Sequence, residues 1–219
     1  MSGKKIGIMG GTFNPVHNGH LILAEAARVQ HQLDEVWFMP SGRPPHKQKE
    51  EILPEEKRSD MLKLAIEGNE AFRYSDLELR REGIIYTSDT LEILHKEYPE
   101  DTFYFIIGGD SLMQLESWHK PEEIFARAMI LASQRSGIDL GGIKEKKEEL
   151  SQKYHAGILP VNIPSLEISS AGIREGLKNG EAVRYLMPET VYAYICENGL
   201  YDTGVRAHSY SDYKKRGRL

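Results

Sequence analysis

The chain has 219 residues, 40% hydrophobic and 28% charged, a balance typical of a soluble globular domain with one sizeable core. Its formal net charge is -5, which excludes an overall positive field that would attract the chain to nucleic acid or to membranes. An anionic ligand must therefore be bound by a local basic cluster. The single cysteine, Cys196, excludes an intramolecular disulfide and favours a reducing cytoplasm. The apolar run after Lys4 and Lys5 has only four residues, which is shorter than we expect of a signal peptide, and no apolar stretch approaches the roughly 18 residues of a membrane span.

Strand-like and helix-like segments alternate along residues 5–161. The most apolar run, residues 102–107, is continuous, as in strands buried on both faces of a sheet. This alternation predicts an α/β fold with a Rossmann-like, doubly wound parallel sheet and right-handed crossovers. The predicted strands are 5–9, 34–40, 72–79, 102–107, 129–132 and 157–161. The predicted helices are 19–30, one beginning at Pro54, and one capped by Thr87 or Ser88 that ends near Tyr98.

After residue 164 the pattern becomes helical. Segments 170–178 and 188–197 predict a small C-terminal helical appendix that starts at about residue 165 and closes one side of the site. Residues 1–202 thus form one domain. Residues 203–219 have almost no apolar side chains and end in Lys-Lys-Arg-Gly-Arg, which predicts a disordered basic tail. Nucleic-acid binding by this tail is an open alternative with little else to support it.

Residues 10–20 join a glycine-rich turn to two histidines. The turn lies between the first predicted strand and the first helix, so its N–H groups and the positive helix end would face one anion. His17 and His20 are three residues apart and would lie on one helix face. We interpret this stretch as a polyphosphate site. Zinc binding is an alternative, although helical zinc pairs are usually four residues apart and need a third ligand; plain packing is another.

Two motifs resemble those of the HxGH nucleotidyltransferase superfamily. Residues 11–20, Gly-Thr-Phe-Asn-Pro-Val-His-Asn-Gly-His, resemble GTFDPxHxGH, with Asn14 where the signature often has Asp. Residues 168–174, Ile-Ser-Ser-Ala-Gly-Ile-Arg, resemble ISSTxIR, with Ala171 in place of threonine. Within the superfamily, segments 41–47, 86–91, 107–111 and 116–119 resemble the bacterial nicotinate-nucleotide adenylyltransferase family. The resemblance extends from residue 4 to about 201.

The resemblance implies that ATP and nicotinate mononucleotide give deamido-NAD and pyrophosphate, a step of NAD biosynthesis. The attacking phosphate is already an anion, so no general base is required, and the site must instead hold two polyanions and stabilise the charge of the transition state. Mg²⁺ is expected with ATP, held by phosphate oxygens and water because the sequence offers no carboxylate cluster. The resemblance implies no nucleic acid and no membrane partner. The oligomeric state stays open, and a homodimer is compatible with the sequence.

The resemblance also implies the site residues, and none of them is assigned to a metal. Asp110, at the carboxyl end of a predicted strand, suits a ribose hydroxyl of ATP. His119 replaces the aromatic residue that often follows the family's tryptophan, so the preference for acid over amide is less firmly implied than adenylyl transfer. The catalytic residues are His17, His20, Lys47 and Arg174. The ATP-binding residues are Gly10, Gly11, Thr12, Phe13, Gly108, Asp110, Arg135, Ile168, Ser169 and Ser170. The nicotinate mononucleotide-binding residues are Ser41, His46, Thr87, Trp118 and His119.

Several alternatives stay open. Phosphopantetheine adenylyltransferases share both motifs but are shorter and lack the Pro-Pro-His-Lys segment found here at residues 44–47, and cytidylyltransferases carry a different second motif. A closer alternative is an enzyme that prefers nicotinamide mononucleotide as the acceptor, or that accepts both nicotinamide and nicotinate mononucleotide. A non-catalytic nucleotide sensor is a further alternative, although it would not need to keep His17, His20 and Arg174. The lysine-rich loop at residues 41–53, which contains Lys47, could instead be a solvated surface loop rather than one that brings charge to the phosphates.

Overall fold

A parallel six-stranded sheet, counted over the residues that the structure describes, forms the centre of the molecule. The structure is a computed structural model and describes residues 3–42, 52–135 and 140–202. The strand order is β3-β2-β1-β4-β5-β6, so the direction of winding reverses between β1 and β4. This reversal confirms the predicted doubly wound, Rossmann-like α/β fold. The strands are β1 (Lys5–Gly11), β2 (Glu35–Pro40), β3 (Phe72–Tyr74), β4 (Thr102–Ile107), β5 (Met129–Arg135) and β6 (Ile158–Ile163).

Helices cover both faces of this sheet. One core layer contains side chains of α1, α2, α7 and α8, and the other contains side chains of α3, α4, α5 and α6. The predicted C-terminal appendix therefore packs on the same face as the first helix. The helices are α1 (Asn18–His31), α2 (Glu55–Ile66), α3 (Thr87–Glu97), α4 (Gly109–Gln114), α5 (Pro121–Arg127), α6 (Leu140–Tyr154), α7 (Ser170–Asn179) and α8 (Glu189–Glu197).

The central strands bury side chains on both faces. In β4, Tyr104 and Ile106 contribute to the layer of α1, whereas Phe103, Phe105 and Ile107 contribute to the layer of α3. Successive side chains of a strand point to opposite faces, so both must be apolar when helices cover both. This explains the continuous apolar run that the sequence shows at residues 102–107.

Several predicted boundaries were wrong. Strand β3 ends at Tyr74 rather than at residue 79, because the chain turns at residues 77–80 and Leu77 packs against the layer of α3. Strand β5 continues to Arg135, and its polar end pairs with β6 instead of forming a loop. Helix α3 is capped by Tyr86 without a side-chain bond, not by Thr87 or Ser88.

Other segments were not assigned from the sequence. Helices α4, α5 and α6 were missed because two are short and the third begins with Leu-Gly-Gly, a poor helix start. The predicted tail at 203–219 and most of the basic loop, residues 43–51, lie outside the described residues. Within the described ranges, we find no helix that is both long and apolar enough to cross a membrane.

Candidate active site

A cavity of about 920 Å³ opens at the carboxyl ends of β1, β4 and β5. Ligands of open parallel sheets bind at this edge, next to the point where the strand order reverses. The cavity wall combines the segment after β1, the start of α4, the polar part of β5 and the start of α7. The predicted site residues in this wall are Gly10, His17, His20, Gly108, Asp110, Trp118, Ile168, Ser169, Ser170 and Arg174.

The signature turn, which we define as residues 10–17, is held by two arginines. The buried Arg58, only 1% exposed, donates from Nη1 to the Thr12 carbonyl at 2.8 Å. Arg174 Nη1 donates to the Asn14 carbonyl at 2.9 Å. Between these carbonyls, Phe13 has φ 49° and its ring is buried beneath the turn. Phe13 was predicted to bind ATP. Its side chain packs in the core below the turn and does not line this cavity.

The two histidines of the signature stack on each other. Their ring centroids are 3.7 Å apart with 26° between the planes, and both side chains line the larger cavity. His20 Nδ1 accepts a hydrogen bond from the His17 N–H at 3.2 Å. A nitrogen that accepts carries no proton, so Nε2 of His20 is the protonated nitrogen of the neutral ring. His20 can therefore donate from Nε2 to a bound anion.

The alternative of a zinc site gains no support from the described ranges. They contain no group of three His, Cys, Asp or Glu side chains that could hold a metal ion. The stacked arrangement of His17 and His20 suits two donors to one anion, since each ring lines the same cavity.

The start of α7 brings the second motif to the same cavity. Ser169 is the N-cap and accepts from the Gly172 N–H at 3.1 Å. The Ser170 hydroxyl donates to the Pro15 carbonyl at 2.8 Å, which joins α7 to the signature turn. The helix has ten residues, and its first turn, which carries the partial positive charge of the N-terminus, lines the cavity. Arg174 then adds a full positive charge one turn into the helix.

The loop after β4 forms a third wall. Gly108 caps α4, and the Gly109 N–H donates to the Ser133 hydroxyl of β5 at 3.1 Å. Asp110 and Ser111 line the cavity from the first turn of α4. Arg135 ends β5, where its backbone pairs with Ile163; its side chain lies outside the described part of the structure.

A second cavity of about 400 Å³ adjoins the first on the side of α3. Gly10, Phe105, Ser111 and Trp118 line both cavities, so a ligand in one would lie next to a ligand in the other. Gly11 and Thr12, which were predicted to bind ATP, line the second cavity. The predicted acceptor residues Ser41, Thr87, Trp118 and His119 also line it.

Aromatic rings shape the second cavity. His119 stacks on Tyr86, with centroids 4.0 Å apart and 26° between the ring planes. Trp118 meets Phe105 edge to face at 6.0 Å, which orients the indole in the common wall. The Ser41 hydroxyl oxygen is buried and makes no hydrogen bond to the described residues. Lys47 and His46 belong to segment 43–51 and lie outside the described residues.

Sequence reasoning missed Glu78, which also lines the second cavity. Burial raises the pKa of its carboxyl above the ordinary value of 4.5, although Thr90 Oγ1 donates to Oε1 at 2.9 Å and Arg81 lies nearby. In the sequence this glutamate stands in a run of acidic and basic residues that is typical of a solvent-exposed turn. No local signal distinguishes it from its neighbours, because its burial depends on α3.

Known proteins match this chain over the region that contains both motifs. A family model described as cytidylyltransferase-like matches residues 8–176. A probable nicotinate-nucleotide adenylyltransferase of Lachnoclostridium phytofermentans is 48% identical over 198 residues, covering 90% of this chain and 99% of that protein. A nicotinate-nucleotide adenylyltransferase of Bacillus subtilis is 41% identical over 200 residues, covering 91% and 100%.

A solved structure shares the architecture. Plasmodium falciparum nicotinic acid mononucleotide adenylyltransferase complexed with NaAD superposes with a TM-score of 0.75 at 24% identity. The match covers 92% of this chain and 98% of that one. At this identity the likeness concerns the fold, and it agrees with the strand order described above.

Proposed function

The chain belongs to the cytidylyltransferase-like family and, within it, to the nicotinate-nucleotide adenylyltransferases, and we propose that it transfers the adenylyl group of ATP to nicotinate mononucleotide. The products are deamido-NAD and pyrophosphate. The observation that carries the proposal is the pair of adjoining cavities, which share Gly10, Phe105, Ser111 and Trp118. Two substrates bound side by side could bring their phosphates together at this common wall.

The reaction is a displacement at phosphorus. A phosphate oxygen of nicotinate mononucleotide forms a bond to the α-phosphorus of ATP, the bond from that phosphorus to the bridging oxygen breaks, and pyrophosphate leaves with both electrons. We assign His20 Nε2–H and His17 to hydrogen bonds with the ATP phosphates, and Arg174 to their charge. Groups that are fixed before the reaction stabilise the developing negative charge without reorganising. Lys47, outside the described residues, is proposed to add a further charge.

The larger cavity is the proposed ATP site. Gly10, at the end of β1, and the first turn of α7, with Ser169 and Ser170, line this cavity and would contact the phosphates, whereas Gly11 would reach them from the wall of the adjoining cavity. A helix N-terminus offers N–H donors and a partial positive charge to an anion. We assign Gly108 and Asp110 to the ribose. Thr12, Phe13, Arg135 and Ile168 complete the proposed set of ATP residues, with Phe13 acting through the backbone of the turn.

The smaller cavity is the proposed acceptor site. Trp118 would stack on the pyridine ring, and Thr87, with the backbone near His119, would donate to the nicotinate carboxylate. The buried Ser41 hydroxyl, which makes no bond to the described residues, is available to the same ligand. His46 is retained as a proposed contact from the loop. A site that offers only donors to a carboxylate discriminates strongly against an amide.

We propose that Mg²⁺ enters with ATP. Asp110 is the acidic side chain of the larger cavity within the described residues, and no three-residue metal cluster exists there. Mg²⁺ keeps several waters and binds phosphate oxygens well, so this site suits a metal held mainly by the substrate. Bound in this way, the ion would neutralise part of the polyphosphate charge. We further propose a cytoplasmic location, where ATP is abundant.

The test supplies the protein with ATP and Mg²⁺ and with either nicotinate or nicotinamide mononucleotide, and quantifies dinucleotide and pyrophosphate. We expect equal amounts of deamido-NAD and pyrophosphate from the acid, and a much lower kcat/KM with the amide. Reactions with CTP in place of ATP and with phosphopantetheine as acceptor test the neighbouring transferase activities. No dinucleotide from either mononucleotide would refute the proposed function, and equal kcat/KM with both would refute the acid preference.

A further inference from the structure

Asn14, at the variable position of the signature, is held by three segments that are distant in sequence. Its side-chain Oδ1 accepts from the Tyr201 hydroxyl at 2.8 Å and from the Leu53 N–H at 3.3 Å. Its carbonyl accepts from Arg174 at 2.9 Å. Asn14 is 3% exposed and lines the larger cavity. The amide and the peptide plane of this residue are therefore both oriented by tertiary contacts.

Tyr201 reaches Asn14 from a strained backbone. It has φ 63° and ψ 32°, and Asp202 follows with φ 50°, so two consecutive side-chain-bearing residues are in the left-handed region. Such a conformation is unfavourable for residues with side chains and persists only where surrounding contacts impose it. The contacts of Tyr201 are the hydrogen bond from its hydroxyl to Asn14 and the packing of its ring against the core layer of α1.

The chemistry of the pair is directional. Burial raises the pKa of the Tyr201 phenol well above its ordinary value of 10.0, so the hydroxyl keeps its proton and donates. Two donors to Oδ1 fix the oxygen end of the Asn14 amide, and Arg174 of α7 donates to the carbonyl of the same residue. His17 follows Asn14 by only three residues. The position of the Asn14 backbone therefore influences where the backbone at His17, and with it the start of α1, places both histidine rings.

We propose that Tyr201 is a positioning residue for adenylyl transfer: through Asn14 it holds the signature turn in the geometry that aims His17 and His20 at the phosphates. This inference rests on the proposed function. The C-terminal appendix would thus contribute to catalysis twice, directly through Arg174 and indirectly through Tyr201. A purely structural role, in which Tyr201 only anchors the appendix, is the competing explanation.

Tyr194 offers a matched control. It is a half-buried tyrosine of α8, in the same appendix, and its hydroxyl donates to Asp60 Oδ2 at 2.7 Å, on α2. Tyr194→Phe removes the same group and one hydrogen bond of the appendix without touching the turn. If Tyr201 were only an anchor, Tyr201→Phe and Tyr194→Phe would have similar effects on activity.

The experiment measures kcat, both KM values and Tm for the two Phe variants, with wild-type activity as the prior check on the proposed function. We expect Tyr201→Phe to lower kcat about tenfold, with the KM for nicotinate mononucleotide unchanged and a Tm close to that of Tyr194→Phe, because misplaced catalytic groups cost rate more than binding. Tyr194→Phe should change kcat less than twofold. Equal kcat values for the two variants would overturn the inference while leaving the proposed function intact.

A double-mutant cycle tests the route through Asn14. If Tyr201 acts through this residue, Tyr201→Phe should have no further effect on kcat in an Asn14→Ala background. Asn14→Asp keeps an acceptor for the Tyr201 hydroxyl and should recover about tenfold in kcat over Asn14→Ala. Additive losses in the double variant would overturn the inference, since general destabilisation of the appendix gives that pattern.

Discussion

His20 combines two duties that a pair of substitutions can separate. Its Nδ1 accepts the His17 N–H at 3.2 Å and so orders the start of α1, whereas Nε2–H is the proposed donor to ATP. His20→Asn places an amide oxygen near the Nδ1 position but has no donor at Nε2. His20→Gln places an amide N–H near Nε2 and gives up the acceptor. The two variants should therefore fail in opposite ways.

The magnitudes follow from the two bonds. Loss of one oriented donor to a transition-state oxyanion costs about 2.7–4 kcal/mol, so His20→Asn should lower kcat by about 10²–10³ with a nearly unchanged Tm. Loss of a helix-cap acceptor costs about 1 kcal/mol, so His20→Gln should lower the free energy of unfolding by that amount and kcat by less than His20→Asn.

The assay follows pyrophosphate release at saturating ATP over a range of nicotinate mononucleotide concentrations, alongside urea unfolding of each variant. The KM for the mononucleotide should stay within about twofold in both, because His20 lines the larger cavity and not the smaller one. A His20→Asn variant with a kcat near wild type, or a His20→Gln variant that is the slower of the two, would refute the assignment of Nε2 as the donor.

Three further substitutions test the surroundings of the site. Trp118→Leu should raise the KM for the mononucleotide about tenfold, because it removes the aromatic face and stacking on an aromatic ring is worth about 1–3 kcal/mol per base, while Trp37→Leu in the core serves as the control in the same assay. Arg58→Met should lower the free energy of unfolding in urea by about 2–4 kcal/mol, because the half-buried carbonyls of Thr12 and Leu53 both lose the charged donor that the buried Arg58 supplies; a loss below 1 kcal/mol would contradict this. The pKa of Glu78 is raised in the folded state. Between pH 4.5, the ordinary pKa, and the higher pKa of the folded protein, the folded state therefore binds more protons than the unfolded state, and the free energy of unfolding falls as pH rises. Glu78→Gln should flatten the dependence of Tm on pH, and an unchanged dependence would show that Glu78 is not the group responsible.

The strands of the sheet were predictable where residues next to each other in sequence form a continuous apolar run. The run at residues 102–107 is apolar at every position after Thr102, which is sufficient to indicate a strand covered on both faces. The predicted extension of β3 over residues 75–79 was wrong, because the apolar residues there do not belong to a strand. Tyr74, Leu77 and Leu79 are apolar, but Leu77 is buried by contact with the layer of α3 and not by position in a strand. Apolar spacing alone does not distinguish these two origins of burial.

The candidate site divides in the same way. The signature turn and the start of α7 were recognisable from their residues, and both line the larger cavity. Glu78, Arg58 and Tyr201 were not recognisable, because each looks like an ordinary surface or helix residue in its own segment. Their roles follow from contacts across 12 to 187 residues of chain.

The sequence by itself determined the fold class, the signature turn that we propose binds phosphate, and the family, since helix and strand periods and turn chemistry depend on residues within a few positions of each other. Only the tertiary structure decided which nitrogen of His20 accepts, that Arg58 and Arg174 hold the carbonyls of the turn, and that the two cavities share the wall at Trp118. The physical reason is that a hydrogen bond or a buried charge depends on the groups that folding brings into contact. The side chain alone does not specify these groups.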